Sequence, residues 1–127
     1  MAIIGLGVDI VETSRIADLM GNHPERFLER CFTQAEQRDS QSTKRQLEHL
    51  AARFAAKEAA LKALGTGWSQ GIGWTDIEVV RAESGRPSLK ITGRAGEIAD
   101  ERGIASWHLS LSHISTHAVA SVIAESE

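Results

Sequence analysis

Three side chains in this 127-residue sequence are of the types that can share one task. Asp9 lies in "GLGVDI" with Gly5 and Gly7 before it, and Glu58 and Lys62 stand four residues apart in "RFAAKEAALKAL" (53–64). Alternate residues of a strand share a face, so Gly5, Gly7 and Asp9 line one side of an extended segment. Two bare backbones beside a carboxylate leave that side open to something bulky. If this strand packs on the helix, Asp9 and Glu58 converge on one hard cation. Two carboxylates, with waters and substrate phosphates completing the shell, is the usual Mg²⁺ arrangement. Lys62, one turn from Glu58, then offers a positive charge or a proton. The competing reading is an ordinary i,i+4 pair between Glu58 and Lys62, worth about 0.2–0.5 kcal/mol on an exposed helix. Spacing alone leaves both open.

The elements that must position these residues follow from local pattern. In "IIGLGVDIV" the residues Ile4, Leu6, Val8 and Ile10 alternate as one buried strand face, which puts Gly5, Gly7 and Asp9 on the open one. A short helix closed by Gly21 and a second with Pro24 near its start come next. "TQAE" (33–36) and "TKRQ" (43–46) have the capping-box pattern, and the second opens the longest helix, about 44–64, stopped by Gly65. "GTGWSQGIGW" (65–74) is a glycine-rich loop. Strands are expected at 76–82 and 88–92 around the turn "ESGRP", then a helix in "RAGEIADERG" ending at Gly103, then strands in "SWHLSLSH" and "HAVASVIAE". Without regular βαβ alternation, this predicts a single α+β domain, with a largely antiparallel sheet packed on the long buried helix.

That helix is unusual. At 100° per residue Leu47, Leu50, Phe54, Leu61 and Leu64 form one stripe, with Glu58 and Lys62 at one border and Lys57 at the other. Ala55, Ala56, Ala59, Ala60 and Ala63 form a second, smooth face. Such a face admits another backbone closely, so the helix is expected to be buried on two sides or to lie at an interface.

Composition narrows the classes. Apolar residues make up 42 % and charged residues 24 %, with a net charge of -3, which gives no global reason to expect nucleic-acid binding. No apolar run approaches the roughly 20 residues that span a bilayer, and "MAIIGLGVDIVE" lacks a basic start, reading as a strand and not a signal peptide. The single cysteine, Cys31, allows no internal disulfide and points to a reducing, cytoplasmic setting. "GLGVDI" has Ile10 where a dinucleotide fingerprint needs its third glycine, and neither a Walker A sequence nor Cys/His zinc spacing is present.

Taken together, "GVDIVETSR" (7–15), "RFAAKEAALKA" (53–63), the "GTG" after the helix and the "HLSLSH" strand resemble the holo-acyl-carrier-protein synthases, the small bacterial 4′-phosphopantetheinyl transferases. The likeness runs through essentially the whole chain. It implies the 4′-phosphopantetheinyl transferase fold and transfer of the phosphopantetheine arm of coenzyme A to a serine of an apo acyl carrier protein. Adenosine 3′,5′-bisphosphate is the implied leaving product. By resemblance Asp9 and Glu58 are Mg²⁺ ligands. Glu58, directly or through a metal-bound water, takes the serine proton, and Lys62 neutralises the leaving phosphate. Arg45, Arg53 and His113 match positions that contact the nucleotide end of coenzyme A, including its 3′-phosphate, and the loop from Gly65 to Gly67 would approach the pantetheine or diphosphate with bare backbone. Arg15, Arg26 and Arg30 match a basic surface that meets the acidic carrier, diluted by Glu25 and Glu29. The resemblance also implies a homotrimer with its active sites at subunit interfaces, which would account for the alanine face. The rivals are a non-catalytic coenzyme A or nucleotide-binding module of the same fold, and an oligomeric scaffold whose helix only packs.

The remaining residues have plainer readings. His113 is otherwise a strand-end histidine, His108 a strand-face residue, His117 and His23 surface residues with His23 a helix cap, and His49 a neighbour of Arg53. Trp68, Trp74 and Trp107 are expected to pack in the core or an interface. Cys31 reads as a buried small hydrophobe.

Overall fold

The computed structural model describes residues 1–41 and 45–127. Its elements run β1 (Ile3–Glu12), α1 (Thr13–Met20), α2 (Pro24–Cys31), α3 (Gln34–Gln41), α4 (Gln46–Leu64), a 3-10 turn (Trp74–Asp76), β2 (Ile77–Arg81), β3 (Pro87–Ile91), α5 (Gly93–Glu101), β4 (Ser106–His113) and β5 (His117–Glu125). One antiparallel sheet has the order β1-β5-β4, and β2 and β3 form a separate antiparallel pair that leans on β4. The α+β, antiparallel expectation holds.

Local chemistry accounts for most boundaries. Gly21 and Gly65 close α1 and α4 with positive φ, their amides reaching Ala17 O and Leu61 O. Pro24 opens α2; His23 occupies its N-cap but makes no side-chain cap bond. The "TQAE" box forms in full: the Thr33 amide donates to Glu36 Oε1 at 3.0 Å, and the Glu36 amide donates to Thr33 Oγ1 at 3.2 Å. Thr43 and Lys44 of the "TKRQ" box lie outside the described residues, and α4 is seen from Gln46 with Arg45 at its N-cap.

The long helix is the centre of the molecule. From Leu50 to Leu64 all but Glu58 and Lys62 are buried. Its alanine face is covered within the same chain, by β1 and by the buried Ala118, Ala120, Val122 and Ala124 of β5. Of the two expectations for that face, burial on two sides is the one that holds, because the sheet itself takes the close approach.

The faces of β1 are also the reverse of the periodicity reading. Gly5 and Gly7 point at α4, so closely that a Cβ on either would stand 1.8 Å from the carbonyl oxygen of Ala63 or Ala59. Ile4, Leu6, Val8 and Ile10 face outward, with Leu6 and Ile10 each 65 % exposed. Only a strand without side chains can lie on an alanine surface at backbone distance, and glycine meets that need. The outward row continues across the sheet, where Leu6 faces Ile123 and Ile10 faces Val119.

Lys57 needs correction too, because it does not border the apolar stripe but lies inside it, fully buried. Its ammonium donates to Glu36 Oε1 at 2.8 Å, to Trp74 O at 3.2 Å and to Ile77 O. Glu36, equally buried, also accepts from the Val79 amide at 2.9 Å. One ion pair thus ties α3, α4 and β2 together. Burial pulls the Lys57 ammonium below its ordinary range, and the Glu36 carboxylate opposes that pull.

Candidate active site

The glycine contacts set the register between β1 and α4. Gly5 meets Ala63 and Gly7 meets Ala59, so each two-residue step along the strand moves one turn back along the helix. The next step carries Asp9 toward the turn that holds Glu58. Lys62 crosses the same seam, donating to Val8 O at 2.9 Å and to Asp9 Oδ1 at 3.2 Å. The i,i+4 reading therefore yields to a cross-element pair: Lys62 bonds the strand carboxylate. Asp9 Oδ2 is buried and has no hydrogen-bond partner. An orphaned carboxylate oxygen in that position lacks something that a cation or donor would supply.

Glu58 is half-buried at the edge of a groove of about 620 Å³, lined also by Arg15, Arg26, Arg30, Phe54, Trp68 and Trp74. The groove is aromatic on one side and cationic on the other. Phe54 and Trp74 are stacked with centroids 4.8 Å apart, Trp68 lies 3.8 Å from Trp74, and the Arg15 guanidinium sits 5.4 Å over the Phe54 ring. All three arginines are exposed, on α1 and α2. Cys31 lies in the groove wall, and burial raises its thiol above the usual range, so it is a small hydrophobe here and not a nucleophile.

The expected nucleotide set gathers elsewhere, around the start of α4. Arg45 is exposed at the N-cap, and one turn on lies His49, whose ring centroid is 5.4 Å from that of His113. His113 Nδ1 is 2.8 Å from Glu48 Oε1. Arg53 is only 3 % exposed, its guanidinium 3.7 Å from Asp39 and donating to His49 O at 3.4 Å, with Nε buried and unpartnered. Burial lowers His49 below the ordinary histidine range, with Arg53 and His113 acting in the same direction. Among the described residues the groove beside Glu58 does not include Arg45, Arg53 or His113. Gly67 is open, with positive φ and nothing near where a Cβ would stand, whereas Gly65 lies under Arg102, which caps Leu64 O.

Of the other histidines, His108 is exposed and pairs with Glu125 at 3.2 Å, and His23 is exposed beside Glu25. His117 is half-buried and not a plain surface residue, with Nδ1 2.9 Å from Thr116 Oγ1. Two features escaped the sequence reading. Glu36 as Lys57's partner was flagged only by its capping box. Trp68, whose indole donates to Glu58 Oε1 at 3.3 Å, had no local signal except its place in the glycine-rich loop.

The chain as a whole resembles known proteins in sequence and in fold. The profile of the 4′-phosphopantetheinyl transferase superfamily matches residues 5–122, and the chain belongs to that family. Within it, the chain is 50 % identical over 123 residues to the holo-[acyl-carrier-protein] synthase of Koribacter versatilis, covering 97 % of this chain and 98 % of that one. The crystal structure of holo-[acyl-carrier-protein] synthase from Neisseria meningitidis superposes with a TM-score of 0.89 at 32 % identity, covering 98 % of this chain and 99 % of the other. That of the Bacillus anthracis synthase in complex with CoA (3′,5′-ADP) gives 0.80 at 38 % identity, covering 98 % of each.

Proposed function

We propose that this protein transfers the 4′-phosphopantetheine group of coenzyme A to a serine of an apo acyl carrier protein, in a Mg²⁺-dependent reaction. The observation that carries this reading is the seam between β1 and α4. There Lys62 holds one oxygen of Asp9, while the other is buried without a partner close to the turn of Glu58. That donor set fits a hard cation, since a site of two carboxylates takes its remaining oxygens from water and substrate phosphate. Among the described residues no cluster of three His, Cys, Asp or Glu side chains could hold a metal, so phosphate oxygens would have to complete the shell. Asp9 and Glu58 are the residues that would hold it, and Mg²⁺ when bound would offset charge on the diphosphate oxygens.

The chain's own groups do the rest. The serine hydroxyl attacks the phosphorus on the pantetheine side of the diphosphate. The bond to adenosine 3′,5′-bisphosphate breaks, and the serine proton passes to Glu58 directly or through a water. Lys62, whose side chain is 55 % exposed, can meet the leaving phosphate as a cation. Arg45 and His113, with Arg53 behind them, are assigned to the nucleotide end of coenzyme A, and Gly65 and Gly67 to the stretch between. Arg15, Arg26 and Arg30 face the groove from α1 and α2, suited to an acidic carrier.

We infer a homotrimer as the working form. The support is the outward face of the sheet, where Ile4, Leu6, Val8 and Ile10 form a continuous apolar row on a small domain. The nucleotide set and Glu58 do not line one groove within a chain, which agrees with sites shared between subunits. No helix among the described residues is long and apolar enough to cross a membrane, and a cytoplasmic location suits the reading.

The test is to incubate the protein with apo acyl carrier protein and coenzyme A, with and without Mg²⁺, and to weigh the carrier intact. A Mg²⁺-dependent gain of one phosphopantetheine group is expected, and Glu58→Gln is expected to abolish it in an otherwise folded protein. Full transfer by Glu58→Gln, or none by the wild type across a panel of carriers, would sink the assignment.

A further inference from the structure

We propose that Trp68 is a positioning residue for Glu58, an inference that rests on the transferase reading above. Its indole Nε1–H donates to Glu58 Oε1 at 3.3 Å. An indole N–H can only donate, so the bond commits that oxygen to Trp68 and turns its twin away from the ring. Glu58 is ten residues back along the chain, in the last turns of α4, so the contact exists only because the following loop doubles back.

The loop is built to do so. Gly65 and Gly67 both take positive φ, at 86° and 61°, and reverse the chain after α4. Gln70, a side chain of ordinary bulk, also sits at φ 62°, and Gly71 at 81°, so the segment is shaped on both sides of Trp68. The ring itself is clamped. Trp68 lies on Trp74 at 3.8 Å, Trp74 stacks on Phe54 at 4.8 Å, and Phe54 stacks on Phe27 at 6.3 Å. Phe54 is one turn before Glu58 on α4, so the stack anchors the donor to the helix that carries the acceptor. A half-buried carboxylate at a groove edge has several rotamers open to it, and ordering them costs entropy. Trp68 settles the orientation before a carrier serine arrives, which is where a displaced proton acceptor would cost most. The same ring lines the groove beside Glu58.

Trp68→Phe separates the two contributions, since it keeps an aromatic ring on Trp74 and removes the donor. Uniform ¹⁵N labelling gives three indole N–H cross-peaks, from Trp68, Trp74 and Trp107, and the Trp68 peak is the one lost in Trp68→Phe. The expected result is that Glu58→Gln displaces this peak and leaves that of Trp107 in place. Trp68→Phe should lower the melting temperature by only the several degrees that one hydrogen bond supplies and leave KM for coenzyme A unchanged, while kcat falls about tenfold at a temperature where the protein is fully folded. A Trp68 peak unmoved by Glu58→Gln, or a Trp68→Phe enzyme with wild-type kcat, overturns the positioning role while leaving the transferase intact. A fall in kcat that tracks a loss of folded protein at the assay temperature also overturns it, reducing Trp68 to packing. Failure of the underlying reading looks different: the wild type binds coenzyme A yet modifies no carrier, and the positioning role falls with it.

Discussion

Replacing Gly7 by alanine adds one methyl group where β1 lies against the backbone of α4. The new Cβ would stand 1.8 Å from the carbonyl oxygen of Ala59, 2.8 Å from its carbonyl carbon and 2.9 Å from the Ala63 amide nitrogen. Real Cβ contacts do not fall below 3.0 Å, so β1 and α4 must part by more than an ångström. Every atom met is backbone, so no side chain can swing aside. Overpacking of a well-filled interior costs about 1–3 kcal/mol, and with backbone on both sides the upper figure of about 3 kcal/mol applies. For a chain of this length each kcal/mol moves Tm by roughly 3–5 °C, giving a fall of about 10–15 °C by calorimetry or circular dichroism. The sign is informative, because Gly→Ala at a site with room stabilises by about 0.4–1 kcal/mol through the unfolded state. Gly7 is not in the left-handed region, so backbone strain does not confuse the result. Ala59→Gly should fail to rescue Gly7→Ala, since the clash is with a carbonyl and not a methyl. Separation of the two elements also draws Asp9 off the helix, so transfer should fall further than stability alone accounts for. A Gly7→Ala protein as stable as the wild type would refute the close-approach argument and the register drawn from it.

Two other expectations are independent of that contact. Glu36→Gln keeps the size and part of the capping box but leaves Lys57 buried without a counter-charge, at a cost of about 3–5 kcal/mol; a midpoint in urea close to that of the wild type would show that the pair contributes little. Leu6→Glu changes a side chain that is 65 % exposed in the single chain, so folding should survive. Light scattering should then give a monomer in place of the proposed wild-type trimer, with transfer lost alongside, and an unchanged mass would show that the apolar sheet face is not the assembly surface.

Much of the fold was legible because its signals are local. Glycine after the last periodic residue, the Thr33–Glu36 box, Pro24 at a helix start and the alternation in the last two strands each state a backbone preference within a few residues. β4 and β5 fall on "SWHLSLSH" and "HAVASVIAE" as read. Asp9, Glu58 and Lys62 stood out in the sequence as candidates because charged side chains among glycines and alanines call for a partner. The same signal in Lys57 belongs to a buried ion pair, so it does not by itself separate chemistry from structure. The motifs that carry the resemblance are these same residues.

What the tertiary structure alone decided is which surface each pattern faces. Alternation in β1 says that two faces differ, but not which is inside, and the usual rule that apolar residues go inward was overridden by distance. An alanine helix leaves no space for Leu6 or Ile10, whereas Gly5 and Gly7 fit it, so the apolar row turns outward. The same geometry made Lys62 a partner of Asp9 instead of Glu58, because a lysine reaching across a backbone-tight seam meets the strand carboxylate. Lys57 and Glu36 lie 21 residues apart in sequence, and Trp68 doubles back onto Glu58 through a glycine-rich loop. Such pairings depend on how elements cross, which is set by the packing of whole faces and is not encoded in the spacing of any two residues.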